Sequence, residues 1–159
     1  MINYLMGFHW QTLAKKAKGL PLGHYAHKEA QAAASAEYDA CHEQAKALRK
    51  KHNIRLREFK PQEAFDFCLE ICKALGSRPI KQIVLRSKEV SEFAFAHCGR
   101  GEIHFKYSNV WLDTLFHELT HHLGAGSHGK NFCEIQELVY EAAMQIDRNK
   151  LQMKEPSIF

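Results

Sequence analysis

Two histidines four residues apart, with a glutamate directly after the first, form the stretch of this chain best suited to chemistry: His117-Glu118-Leu119-Thr120-His121. On a helix, at about 100° per residue, the two imidazoles sit only about 40° apart and can reach one cation. Glu118 lies about 100° from His117, beside that point rather than on it. A carboxylate there can take a proton from water that the cation has acidified. A zinc ion used in catalysis takes three protein ligands and leaves a fourth position to water. His128, beyond Gly124, is the expected third ligand. The expected cofactor is therefore Zn2+, held by His117, His121 and His128, with Glu118 as the catalytic base.

The surrounding residues predict the helix that this spacing requires. Leu112, Leu115, Phe116, Leu119 and Leu123 recur at helical intervals and fall within about 60° of Leu112, while the two histidines point away from that stripe. Gly124 reads as a C-terminal cap, after which the chain can turn and return His128 to the metal. Other third ligands are weaker. Glu137 and Glu141, on the next helix, also fit a solvated polar face together with Glu134, and His122 lies about 100° round from His121. Tyr107 and Tyr140 could each donate to an oxyanion, but neither is placed by its position in the chain.

Upstream, residues 27–51 are rich in Ala, Glu, Gln and Lys without Gly or Pro, which predicts a long helix with a thin stripe of Ala34, Tyr38, Cys41, Ala45 and Leu48. Residues 54–57 alternate like a short strand. Pro61 opens a helix over 61–75 with Phe65, Leu69 and Ile71 or Cys72 inward and Gly76 closing it. Residues 80–85 read as a strand, and 93–97 with 103–107 as a β-hairpin about Gly99-Arg100-Gly101. Ser108 and Asn109 are suitable N-caps for the metal helix. Residues 130–147 form a further amphipathic helix through Phe132, Ile135, Val139, Ala142 and Ile146. Residues 1–25, with Phe8, Trp10 and Leu13 as a short apolar group, are hard to assign, and 148–159 read as a frayed tail.

The 159 residues suit a single domain with a sizeable core. A composition of 45% hydrophobic and 25% charged residues is that of a soluble globular protein. No apolar run approaches the roughly 18 residues of a membrane span, and the N-terminus lacks the pattern of a secretory signal. The expectation is a cytoplasmic protein with no membrane partner. Cys41, Cys68, Cys72, Cys98 and Cys133 are an odd number without a CxxC pair, and read as reduced thiols that pack as small hydrophobes. The net charge of +4 permits an acidic partner without demanding one. Within 46–60, Lys46, Arg49, Lys50, Lys51, Arg55, Arg57 and Lys60 face one acid, Glu58. That stretch reads as a solvated face, with a phosphate-binding surface for nucleic acid as the alternative.

This order of elements resembles a minimal zincin metalloprotease: α+β, with N-terminal helices, a small mostly antiparallel sheet, an HExxH helix and a C-terminal helix. More narrowly, Asp113 to His121 followed by His128-Gly-Lys-Asn-Phe132 is similar to the SprT-like family, which pairs HExxH with a later His-Gly-x-x-aromatic motif. The resemblance covers about residues 99–135. It implies a zinc metallopeptidase acting on protein or peptide, with His117, His121 and His128 as ligands, Glu118 as base, and DNA-associated proteins as substrates. The metzincin pattern would put its third ligand on Ser127. The zinc endoribonucleases of ribosomal RNA maturation have glycine where Glu118 stands and a last histidine one position earlier. An endoribonuclease and a non-catalytic zinc-stabilised binding module are the alternative functions.

Overall fold

The computed structural model describes residues 15–16, 18–21, 25–86, 94–97, 99–106 and 110–152. Helix α1 spans Tyr25–Lys51, followed by strand β1 (Glu58–Phe59), helix α2 (Pro61–Ala74) and strands β2 (Gln82–Leu85), β3 (Ala94–His97), β4 (Glu102–Phe105) and β5 (Val110–Trp111). Helix α3 (Leu112–His122) carries the HExxH stretch, α4 (Lys130–Ile146) follows the glycine turn, and α5 (Arg148–Leu151) is one further turn. The chain is α+β. None of the helices among the described residues is long and apolar enough to cross a membrane.

The sheet is smaller and less antiparallel than the sequence predicts. β3 and β4 form the expected hairpin, with Phe95 opposite His104, but β2 joins the other edge of β4 in parallel, with Val84 opposite His104. β1 pairs only with β5, in a separate two-stranded antiparallel ribbon. Hairpin formation is a local event written in the glycine turn, whereas the edge that β2 joins is decided by packing of α2 behind it.

Helices α2, α3 and α4 enclose the main core with β4. Leu112, Leu115, Phe116 and Leu119 are fully buried, as the stripe predicts, while Leu123 packs at the margin. Phe116 stands between the Phe67 ring, 6.0 Å away, and Tyr140, which meets it edge-on at 4.9 Å. Each of these large rings removes enough apolar surface from water to be worth roughly 2–3 kcal/mol.

Several local readings shift. The strand expected at 54–57 lies at Glu58–Phe59, because Ile54 instead forms an isolated bridge to Gln152. That bridge also corrects the tail: Leu151 is fully buried and its carbonyl accepts the Arg55 N–H at 2.9 Å, so 148–152 is pinned against the turn after α1. In α2 the inward face is Ala64, Phe67, Cys68, Ile71 and Cys72, with Phe65 and Leu69 only partly covered. Gly76 does close that helix, at φ +61. The N-cap of α3 is Trp111 rather than Ser108 or Asn109, because β5 intervenes. Both of those residues lie outside the described ones, as do Phe8, Trp10, Leu13, Phe93, Cys98, Tyr107 and 153–159.

Candidate metal centre

The end of α3 is closed by three backbone bonds that also orient His121. The Leu123 N–H bonds to the Leu119 carbonyl at 2.9 Å, Gly124 N–H to His121 at 3.1 Å and Ala125 N–H to Thr120 at 3.3 Å. The last two are the paired bonds of a Schellman motif, and Gly124 takes the φ of +123 that a side chain would resist. The turn leaves the Ala125 carbonyl facing back at His121, whose Nδ1–H donates to it at 2.6 Å. A neutral ring held this way carries its lone pair on Nε2.

His128 returns to the same point. Its Nε2 lies 3.1 Å from Nε2 of His121 and 3.0 Å from Nε2 of His117. Phe132, one turn into α4, lies under all three rings, with centroid separations of 4.8 Å to His117, 5.0 Å to His121 and 5.2 Å to His128. The aromatic four residues after His128 is thus the floor of the cluster. Burial holds His117 down to about 3 and His128 to about 4, the neighbouring imidazoles adding to the effect, and burial lowers His121 as well. The three rings are neutral at physiological pH.

Neutral rings in this arrangement fit a cation. One hydrogen on Nε2 of His128 can serve only one of its two Nε2 neighbours, so hydrogen bonding cannot satisfy all three nitrogens. A metal at their centre can. Tetrahedral zinc with bonds of about 2.0–2.1 Å spaces its nitrogen ligands about 3.3 Å apart, within a few tenths of an ångström of the two separations measured from His128. Three nitrogen donors of one kind suit zinc or another late first-row divalent ion.

Helix α1 forms the opposite wall, which the sequence reading missed. Cys41 Sγ and the ligand atoms of His117 and His128 all lie within 4.8 Å of one another, and these three residues could hold a metal ion. Tyr38 meets His128 edge-on at 5.1 Å and His42 stacks on His117 at 5.3 Å and 10°. The Cys41 thiol donates to the Tyr38 carbonyl at 3.0 Å, and burial pushes it up to about 12. Nε2 of His42 is buried without a hydrogen-bond partner. Gln136 fixes this wall to α4 by donating to the Cys41 carbonyl at 3.0 Å and to Gln44 Oε1 at 2.7 Å. Gln44 in turn donates to the Cys133 carbonyl at 2.9 Å.

The sequence reading gives Cys41 only a packing role and does not single out His42. The available signal was a second stripe on α1: Glu37, Cys41, Gln44 and Leu48 follow helical spacing and are buried together.

Glu118 is buried within the α3 wall at 7% exposure, and its charge helps raise the Tyr38 hydroxyl, after burial and Cys41. The other candidates fall elsewhere. Tyr140 is fully buried and donates to Asp113 Oδ1 at 2.7 Å, so its hydroxyl is committed to the core and not to an oxyanion. His122 is buried and bonded through Nε2 to the Arg78 carbonyl at 2.8 Å, which makes it a brace between α3 and the loop before β2. Glu134 is exposed, Glu137 and Glu141 are half-exposed, and Lys130 reaches Glu134 at 3.8 Å, as a solvated face requires.

Of the basic stretch, Arg49 pairs with Asp113 at 2.9 Å, Lys46 with Glu43 at 3.0 Å, and Arg57 with Glu63 while lying over the Phe59 ring. Lys50, Lys51, Arg55 and Lys60 remain exposed. Cys68, Cys72 and Cys133 are buried free thiols, as expected. No family model, curated protein or solved structure matches the chain, and its chemistry is therefore read from this geometry.

Proposed function

We propose that the chain is a zinc metallopeptidase in which His117, His121 and His128 hold the ion and Glu118 moves the proton. The observation carrying this reading is the meeting of three neutral Nε2 atoms, two from α3 and one from beyond its glycine cap, with a buried carboxylate on the same helix. When bound, zinc would acidify a water molecule and polarise the scissile carbonyl. Glu118 accepts the proton of the attacking water and passes it to the leaving amine. Its burial keeps that exchange away from bulk water, where the carboxylate would be a weaker partner. The Ala125 carbonyl keeps His121 in the ligating tautomer, and Phe132 excludes solvent beneath the ligands. The SprT-like resemblance of the HExxH and His-Gly-x-x-Phe motifs supports peptide bonds as the target, and the buried free thiols are in keeping with a cytoplasmic setting.

The direct test is purified protein with measured metal content, assayed on unfolded polypeptide. Cleavage is expected to require the metal and to vanish in Glu118→Gln while the metal stays bound. Proteolysis retained by that variant would sink the mechanism. Cleavage of structured RNA in place of polypeptide would move the same site to the endoribonuclease reading, and activity on neither would leave a zinc-stabilised binding module.

Action on DNA-associated proteins is the outer part of the proposal and rests on Lys50, Lys51, Arg55 and Lys60. Since Lys46, Arg49 and Arg57 are engaged within the chain, four cations remain to contact phosphates. Neutralising four phosphates gives a log–log salt slope of about −3 to −4. A slope near zero, or no binding at low salt, would remove DNA from the proposal.

A further inference from the structure

Cys41 has no part in the peptidase mechanism, yet its sulfur lies within 4.8 Å of ligand atoms of His117 and His128. The residue is fully buried, and its thiol makes one hydrogen bond, to a carbonyl three residues back on its own helix. Its backbone is held from the other side by Gln136, so the sulfur is presented to the cluster by an anchored segment. Three histidines leave one position of a tetrahedral ion open. A thiolate is among the strongest ligands for zinc, at about 2.3 Å, and a cation readily displaces a thiol proton.

We infer that Cys41 is a fourth, exchangeable ligand that closes the metal site and holds the peptidase in a latent state. This rests on the metallopeptidase reading and adds a restraint to it. When the metal enters, the Cys41 proton leaves to solvent and the hydrogen bond to the Tyr38 carbonyl is given up. Opening reverses this: the sulfur leaves the ion, takes a proton from solvent and returns to the Tyr38 carbonyl, while water enters the vacated position. No electrons change hands. Tyr38, 46% exposed at the mouth of the site, lies on the same helical turn as Cys41, so a polypeptide pressing against α1 there would bear directly on the sulfur.

The test uses the full chain loaded with Zn2+ or Co2+ and compares wild type with Cys41→Ser and Cys41→Ala. X-ray absorption of the wild-type zinc protein is expected to show one sulfur at about 2.3 Å with nitrogen at about 2.0 Å. The cobalt form should show a thiolate charge-transfer band in the near ultraviolet. Both signatures should vanish in the variants, which keep the metal through three histidines, bind it roughly tenfold or more weakly and turn over peptide faster. A stoichiometric wild-type metal with only nitrogen and oxygen neighbours would overturn the Cys41 ligand and leave the metallopeptidase reading standing. A wild-type protein that binds no zinc or cobalt would overturn both. If the variants fail to fold, the wild-type sulfur signal still decides the ligand.

Discussion

The two walls of the candidate metal centre are held in different ways. On the α3 side the three histidines are fixed from several directions: His121 by the Ala125 carbonyl, the end of the helix by paired backbone bonds, and all three rings by Phe132 beneath them. On the α1 side the groups facing the cluster are loosely committed. The Cys41 thiol bonds within its own helix, His42 Nε2 has no partner and Tyr38 is half-exposed; on the neighbouring turn Glu37, beside Cys133, is buried with both carboxylate oxygens unpartnered. Prearranged ligands avoid the cost of ordering them when a metal binds, whereas a wall with unspent bonding capacity can change partners. The contrast suits a rigid metal cradle opposed by an adjustable gate.

Breaking the rigid wall should produce the largest effects. Glu118→Gln should lower peptide turnover by about 10²–10⁴-fold with metal content unchanged, read by steady-state kinetics beside metal analysis. Phe132→Ala should cost about 3–5 kcal/mol in denaturant unfolding and weaken zinc binding, since it opens a cavity beneath the ligands. An unfolding midpoint close to that of wild type would show that the floor is dispensable.

The adjustable wall should respond more mildly, and in one case favourably. Burial raises the Glu37 carboxyl to about 7 from 4.5. The sign follows from linkage: the folded state holds the extra proton, so stability is full below pH 4.5 and falls as pH rises through 7. Glu37→Met should therefore stabilise the protein by about 1–3 kcal/mol at pH 8 and by little at pH 4. Destabilisation at pH 8 would mean that the carboxylate serves the fold. The histidines run the opposite way. With His117 and His128 lowered to about 3 and 4, metal-free protein keeps their contribution above pH 6.5 and loses it as pH falls through 4. Acid unfolding of the apo form over that range, delayed by added zinc, would match. Gly124→Ala should be the smallest change, about 1–2 kcal/mol, because φ of +123 strains any Cβ although space is open around it.

The same two walls differ in how far they can be read from residue order. Leu112, Leu115, Phe116 and Leu119, then Gly124 and His128, are governed by interactions within about a dozen residues, and the α3 cradle follows from their spacing. The α1 wall depends on a helix more than seventy residues upstream packing against α4 through Gln44 and Gln136. An Ala-rich helix advertises weakly which face it buries, so Cys41 reads as packing and His42 carries no signal of its own. The sheet divides similarly: the β3–β4 hairpin is local and was foreseen, and the parallel β2–β4 pairing is not local.

Asp113 has a mechanical consequence for the proposed gate. One carboxylate, a turn ahead of His117, accepts the Tyr140 hydroxyl from α4 at 2.7 Å and forms an ion pair with Arg49 of α1 at 2.9 Å. Arg49 lies eight residues beyond Cys41, about 12 Å along the axis of α1. With that pin at one end and Gln136 on the Cys41 carbonyl at the other, the α1 backbone is held along this stretch, and release of the ion falls to rotation of the Cys41 side chain. A push at the cleft would then set the coordination number of the ion by turning one side chain on a fixed helix.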